Sequence, residues 1–548
     1  MKTLKLTNIL ACAILMLSPL VTAAQPLARQ WVQRYNGPSN GYDYAGPMTI
    51  DNSGNVYVAG QSDGVGTSND IAVIKYNSSG IQQWVARYNG PANNNESPAG
   101  IAVDNSGNVY VAGTSWGTND DYITIKYNSS GVQQWAARFN GSANSSDRIN
   151  AMTIDNSGNI YVTGQAQFNN GLLNDYFTIK YNSNGDTLWT RRYDGGENPS
   201  SAPNDYAYSV AVDQSGNVYV TGGARTYPSV SIIATLKYNS SGVVQWVKWY
   251  NGPDTDEGFA IKVDASGNSY VTGRRSNLSN NDYITLKMNP NGDTSWVKLY
   301  NGPGNGDDRP YALVLDGSGN TYVTGYSTGS STLRDFTTIK YNSSGIQQWI
   351  ASYNGAANNI DEAYSIVVDN SSNVYIAGSS HEGSPTNYDF TAIKYNSSGA
   401  QQWIIKFDSL SGNGYCSSVA VDAQYNVYMF GAQPFNNVFH DMFTIKYAQL
   451  VGIKPVSSAV PDNFSLSQNY PNPFNPSTNI KFSIPKLSIV KIIIYDELGR
   501  DISTLVNEQL PAGTYKVDWN AEKYSSGVYF YSLKTDGNSE TRKMILVK

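Results

Sequence analysis

Between residues 101 and 139 the chain alternates apolar and polar side chains in four short runs, Ile101-Ala102-Val103, Val109-Tyr110-Val111, Tyr122-Ile123-Thr124-Ile125 and Trp135-Ala136-Ala137-Arg138-Phe139. Each run stops at Gly, Asn or Ser. A period of two over such short runs predicts strands, and no window offers the longer period of an amphipathic helix, so the body is predicted to be all-β. The pattern then recurs. A turn aspartate stands at Asp51, Asp104, Asp155, Asp213, Asp264, Asp316, Asp369 and Asp422, and a tryptophan at Trp31, Trp84, Trp135, Trp189, Trp246, Trp296, Trp349 and Trp403. A strand lysine repeats likewise from Lys75 to Lys446, so each landmark occurs eight times at intervals of about 50 to 58 residues. Repetition at such a period marks a repeat architecture.

Four strands per unit, joined by Asp-Asn-Ser-Gly-Asn and Asn-Ser-Ser-Gly turns, predict antiparallel sheets repeated about an axis, the blades of a β-propeller. In those turns Asn or Asp bonds its own downstream backbone and Gly supplies a positive φ. The first tryptophan strand, Trp31 to Tyr35, precedes the first turn aspartate, while the last unit has three strands and no tryptophan strand of its own. The expected fold is therefore an eight-bladed propeller in which the N-terminal strand closes the last blade, which removes two open edges. The recurring tryptophans read as wedges between blades, the alternative being a ring of exposed aromatic ligand contacts.

Composition narrows the chemistry. Only 15% of the 548 residues are charged and the net charge is −6, which speaks against a coiled coil or a nucleic-acid binder relying on bulk positive charge. Two Cys and two His leave little for disulfides, zinc or histidine catalysis. Lys2 and Lys5 followed by the apolar run Ile9 to Val21 and the small Ala23 and Ala24 read as a secretory signal over residues 1–24. The run is shorter than a membrane-spanning helix needs, so no transmembrane segment is expected in the mature chain. A lipoprotein reading of Cys12 fits poorly, because the apolar core follows that cysteine. The propeller is placed at residues 25–452, a linker at 453–462 and a second domain at 463–548. There, alternating segments such as Val490 to Tyr495 and Gly527 to Leu533 predict a small Ig-like β-sandwich.

Candidate sites lie on the face whose connections vary in length, since function concentrates on variable loops carried by a rigid scaffold. Two acidic positions recur there. Asp43, Glu96, Asp147, Asp205, Asp256, Asp308 and Asp361 precede the turn aspartates by a constant spacing, and Asp70, Asp121, Asp175, Asp282, Asp335, Asp389 and Asp441 precede the strand lysines. One reading makes them caps that accept backbone N–H bonds. The other makes them a carboxylate ring attracting Ca²⁺, a hard cation needing oxygen ligands, with Asp147, Asp256, Asp308 and Asp361 as metal candidates. His381 and His440 are placed before third strands in exposed polar roles, and no catalytic residue is singled out. Glycoside hydrolysis needs only two carboxylates and stays open.

Several of these segments resemble known families. Asp121-Tyr122 through Lys126, Asn140-Gly141 with Asp147, and Asp155 with Gly158-Asn159-Ile160-Tyr161-Val162-Thr163-Gly164 resemble the SBBP-type β-propeller repeat over residues about 31 to 447. That resemblance implies a secreted or surface protein with no single assigned activity. Gly131-Val132-Gln133-Gln134-Trp135 is loosely similar to the tryptophan-docking repeat of quinoprotein dehydrogenases, whose frequent adjacent cysteine pair is missing here. Tyr470-Pro471-Asn472-Pro473-Phe474, the segment Ser525-Ser526-Gly527-Val528-Tyr529-Phe530-Tyr531 and Lys543 through Lys548 resemble the type A C-terminal sorting domain of the type IX secretion system. This implies signal-directed export to the periplasm, interaction with the type IX machinery, and an extracellular or outer-membrane surface location in a Gram-negative bacterium. The Tyr-rich composition, 41 residues, suits stacking against sugars. The expected role is thus binding of an extracellular glycan or protein, with a polysaccharide hydrolase or lyase as the alternative.

Overall fold

The computed structural model describes residues 27–548 except 169–172, 196–203, 227–229, 278, 382, 384–387, 408–411, 436–438, 450–452, 458–459 and 511. Residues 1–24, read as a signal, lie outside the described residues. Every regular element among those described is a β-strand. From Leu27 to Gln449 these strands form eight four-stranded antiparallel sheets, an arrangement of propeller type. The second sheet is representative, with an inner strand Glu96–Val103, then Val109–Trp116, Asp120–Tyr127 and an outer strand Gln133–Phe139. Inner strands of successive sheets touch in series, and that of the last, Tyr415–Val421, touches that of the first, Asp43–Ile50. The last sheet takes its outer strand from the N-terminus: Leu27–Tyr35 pairs with Phe439–Gln449, from Leu27 opposite Gln449 to Tyr35 opposite Met442.

One turn motif explains why these sequences repeat so closely. Asp155 Oδ1 accepts the N–H groups of Ser157 and Asn159 at 2.9 Å, and Oδ2 accepts the Asn159 amide at 2.7 Å and the Tyr161 hydroxyl at 2.8 Å. All four acceptor directions of the carboxylate are used, so the turn and the start of the second strand are welded together. The same tyrosine bond recurs from Tyr57 to Asp51 through Tyr428 to Asp422. Tyr161 is buried, and the Lys180 ammonium lies 5.1 Å over its ring.

The tryptophans join one sheet to the next. Trp84 donates its indole N–H to the Ser129 carbonyl at 3.1 Å, and its ring packs on Gly131, where a Cβ would meet the indole at 2.6 Å. Gly131 has φ +81°, so its conformation and its lack of a side chain are both required. Equivalent bonds run from Trp31 to Ser78, Trp135 to Ser183, Trp189 to Ser240, Trp246 to Pro290, Trp296 to Ser343 and Trp349 to Ser397. Trp403 is the exception. Its sheet neighbours the one completed by the N-terminal strand, where no turn links third and outer strands, and its buried indole N–H has no partner among the described residues.

The C-terminal part is a sandwich of two four-stranded sheets around Phe482, Ile492, Trp519, Leu533 and Met544. Ile453–Ser457, read from the sequence as linker, pairs instead with Gly513–Asn520 as an edge strand. An edge strand is where a proline can stand in a sheet. Ala28 of the closing strand is buried in the core of this sandwich, so the two bodies meet at the N-terminal strand. No helix among the described residues is long and apolar enough to cross a membrane.

Candidate functional site

The recurring carboxylates take up structural positions. Asp147 is fully buried; its Oδ2 accepts the Gly141 N–H at 2.5 Å and its Oδ1 the Gln167 N–H at 2.8 Å, tying the incoming connection to the second strand. Asp308 does the same for Gly302 and Thr328, and Asp361 for Gly355 and His381. Asp256 accepts the Gly252 N–H. These four calcium candidates are not brought together. Among the described residues the one group of three close acidic side chains is Asp175, Asp194 and Asp205, and Arg192 is ion-paired with the first two. Burial raises Asp147 to about 6, against the N–H bonds of Gly141 and Gln167 that favour its ionised form. Four of the second acidic set pair with outer-strand arginines, Asp70 with Arg87 at 2.8 Å, Asp121 with Arg138 at 2.5 Å, Asp175 with Arg192 at 2.5 Å and Asp441 with Arg34 across the closing strand, whereas Asp282 accepts the Asn277 amide and Asp335 the Thr332 hydroxyl.

His381 departs from expectation. It ends the strand Val374–His381, which runs further than its sequence pattern suggested, is 2% exposed, and has no partner for either ring nitrogen among the described residues. His440 is half-buried, with Nε2 3.1 Å from the Asn413 carbonyl. Cys416 is buried and unpaired, and burial pushes its thiol up to about 12, which leaves it unreactive near neutrality.

A site missed in the sequence emerges when the inner strands are aligned on their turn aspartates. Five residues before the aspartate, four consecutive sheets carry Tyr208, Phe259, Tyr311 and Tyr364, whereas the other four carry Gly46, Ala99, Asn150 and Ser417. The rings are half-buried and form a continuous arc. Tyr208 and Phe259 have centroids 5.7 Å apart, and Tyr311 and Tyr364 5.2 Å apart; the Arg309 guanidinium bridges the gap, 4.6 Å over Phe259 and 5.4 Å from the centre of Tyr311. At the other end of the inner strands, a cavity of about 530 Å³ is lined largely by apolar side chains such as Ile50, Val314 and Val367.

Charges two residues earlier on the same strands surround the arc. Glu362 accepts the Tyr364 hydroxyl at 2.7 Å and the Tyr311 hydroxyl at 3.4 Å and is ion-paired with Arg334, which itself lies 4.3 Å over Tyr326. Glu257 is paired with Arg274 at 3.0 Å and Arg148 with Asp120 at 2.5 Å. Burial, with the Glu257 charge, pushes the Tyr208 hydroxyl up to about 12, so it stays a neutral donor. Half-exposed rings with fixed polar groups at their rim can hold the apolar face of a ligand and orient its hydroxyl or charged groups.

The sorting motifs form a second constellation, on the sandwich. Phe474 is buried against Trp519, with ring centroids 5.5 Å apart, and Tyr470 stands 77% exposed at the surface. Phe474 donates its N–H to the Ile545 carbonyl and accepts the Val547 N–H, each at 3.0 Å, while Asn472 Oδ1 accepts the Ile545 N–H. Tyr470-Pro471 and Asn472-Pro473 are cis. Lys543 pairs with Phe530, the Tyr529 hydroxyl reaches the Ser525 carbonyl at 2.7 Å, and Lys548 Nζ donates to the Glu522 carbonyl at 2.6 Å beside the strand begun by Gly527. The three motifs are therefore one structure, in which the proline-rich loop clasps the last strand.

Residues 30–66, 83–119, 134–171, 195–223, 295–331 and 348–383 match the beta-propeller repeat family SBBP, and residues 468–548 match the secretion system C-terminal sorting domain. No curated protein matches the chain. Among solved structures, PorZ, a bacterial surface component of the type-IX secretion system of Porphyromonas gingivalis, is 15% identical over 90% of this chain and 68% of its own, with a TM-score of 0.37. The beta-propeller domain of the Trilobed protease from Pyrococcus furiosus is 8% identical over 66% and 96%, with a TM-score of 0.39. The polysaccharide lyase Uly1 is 9% identical over 73% and 89%, with a TM-score of 0.37. Likenesses this distant say nothing of activity. The repeats and the tail do identify the chain: it carries SBBP-type β-propeller repeats and a type IX C-terminal sorting domain, and is a secreted or cell-surface protein.

Proposed function

We propose that the chain is an extracellular binding protein, an eight-bladed propeller over residues 25–452 whose channel mouth holds a glycan or protein. The Ig-like sandwich from about residue 463 onward serves as its export address. The observation that carries this reading is the aromatic arc of Tyr208, Phe259, Tyr311 and Tyr364, set on half of a ring whose other half is small. The four rings lie outside the hydrophobic clusters between the sheets, so core packing does not account for them. Sugars favour such a site, because their C–H faces stack on rings while their hydroxyls reach the rim.

Incubation of the purified protein with a panel of extracellular polysaccharides tests this. Retention without new reducing or unsaturated ends is expected, and loss of retention in Tyr311→Ala should follow. New ends would make the protein a hydrolase or lyase, and retention of protein ligands alone would move the reading to the protein class.

A further inference from the structure

Four charged residues occupy the register two positions ahead of the aromatic arc or its small counterparts: Arg148, Glu257, Arg309 and Glu362. Three are neutralised, by Asp120, Arg274 and Arg334 respectively. Arg309 has no carboxylate partner among the described residues, and its Nε is buried without an acceptor. Its guanidinium is held over Phe259 and beside Tyr311, in the middle of the arc.

An arginine so placed keeps its planar donors and its charge, and cation–π contact with two rings fixes its orientation without consuming its hydrogen bonds. Such a pre-oriented fork is suited to a carboxylate, which it meets through two parallel N–H···O bonds. The spacing adds a second constraint. Rings flank the cation on both sides, so an anion seated on Arg309 has apolar faces beside it, as the carboxylate of a uronic acid has the C–H face of its own ring and of its neighbours. A small inorganic anion would leave those rings uncovered, and a neutral sugar would leave the guanidinium unmatched.

We infer that the channel mouth takes an acidic polysaccharide, with a uronate carboxylate on Arg309 and the sugar rings stacked on Tyr208, Phe259 and Tyr311. This rests on the glycan reading above and narrows it to a substrate class. Affinity should fall with rising salt, because one ion pair forms per bound uronate.

The test is affinity electrophoresis and calorimetry of the exported protein with polygalacturonate, its fully methyl-esterified form and a neutral β-glucan. Wild-type protein should bind polygalacturonate at least about tenfold more tightly than the ester, the difference a charge-assisted bidentate pair supplies. Arg309→Gln should remove that preference while leaving the melting temperature near the parent's, and Arg309→Lys, which keeps charge without the fork, should fall between. Arg500→Gln, on the sandwich and paired there with Asp496, serves as control and should bind as wild type. Equal binding of polygalacturonate and its ester, or an Arg309→Gln protein that keeps the preference, overturns the inference yet leaves a glycan site in place. Failure to bind any of the three overturns it together with the glycan reading.

Discussion

Asp147 and Asp155 lie eight residues apart on either side of one inner strand and respond to acid in opposite senses. Burial pushes both up. At Asp155 it is outweighed by the side chain and N–H of Asn159, the Tyr161 hydroxyl and the Ser157 N–H, so its carboxyl sits below 3.8. At Asp147 burial wins, raising it to about 6, with Asp43 and Asp256 also at about 6 and Glu96 and Asp205 at about 7. The folded state therefore binds protons at the second group more readily than the unfolded chain, and their contribution, complete below the unfolded value near 4, is lost as pH rises through about 6 to 7. Asp51, Asp104, Asp155, Asp264 and Asp316 at the turns do the reverse, and theirs is lost as pH falls below about 3.8. Thermal melts should accordingly show stability rising from pH 8 to about 5 and falling below about 4, with Asp147→Asn flattening the upper limb. A second outcome belongs to the same carboxylates. Since Asp308 and Asp361 already hold backbone N–H groups, calcium and EDTA should give one melting temperature; a calcium-dependent rise would instead favour the cation ring.

Strands, turns and wedges were legible because they repeat. A Trp that must lie on a Gly of the next sheet, or an Asp that must cap its own turn, leaves the same letters in every unit, so eight copies announce one piece of physics. The channel mouth was illegible for the converse reason. Tyr208, Phe259, Tyr311 and Tyr364 are what the units do not share, and Tyr is common enough here to pass unnoticed until the inner strands are aligned. The burial of His381 and the edge strand at Ile453–Ser457 were missed because a strand end and a proline-bearing edge carry no alternation. Trp403 provides a test of the wedge at the level of the sheet. Trp349 gives its indole N–H to Ser397 at 3.2 Å, and Trp403 gives its own to no described residue. Replacement by Phe should cost about 1 kcal/mol more at Trp349 than at Trp403, where an unsatisfied buried donor is removed along with the ring; paired denaturant melts measure the difference.

The molecule as a whole closes through nine residues at its beginning, Leu27–Tyr35. Deleting them leaves the third strand Phe439–Gln449 with an open edge beside the buried Phe443 and Ile445, and the expected result is aggregation, read by light scattering against the parent. A variant that stays monomeric and melts normally would place the closing strand elsewhere. Ala28 also belongs to the core of the sandwich, so the same deletion should loosen the sorting domain and lower export of the whole chain.

Closure also sets a timetable. Ribosomes make the closing strand first, yet its partners Met442 to Gln449 come last before the sandwich, so the earliest segment waits through almost the entire synthesis of the ring. Contacts so remote in sequence form slowly, because a long loop must be closed before they contribute anything. Until then the ring is an open arc with two unpaired edges, the form of the chain most open to aggregation. Moving Leu27–Tyr35 behind Gln449 through an Asn-Ser-Ser-Gly turn would make the last sheet local and give Trp403 its missing carbonyl, and such a permutant should refold faster than the natural order of the chain allows.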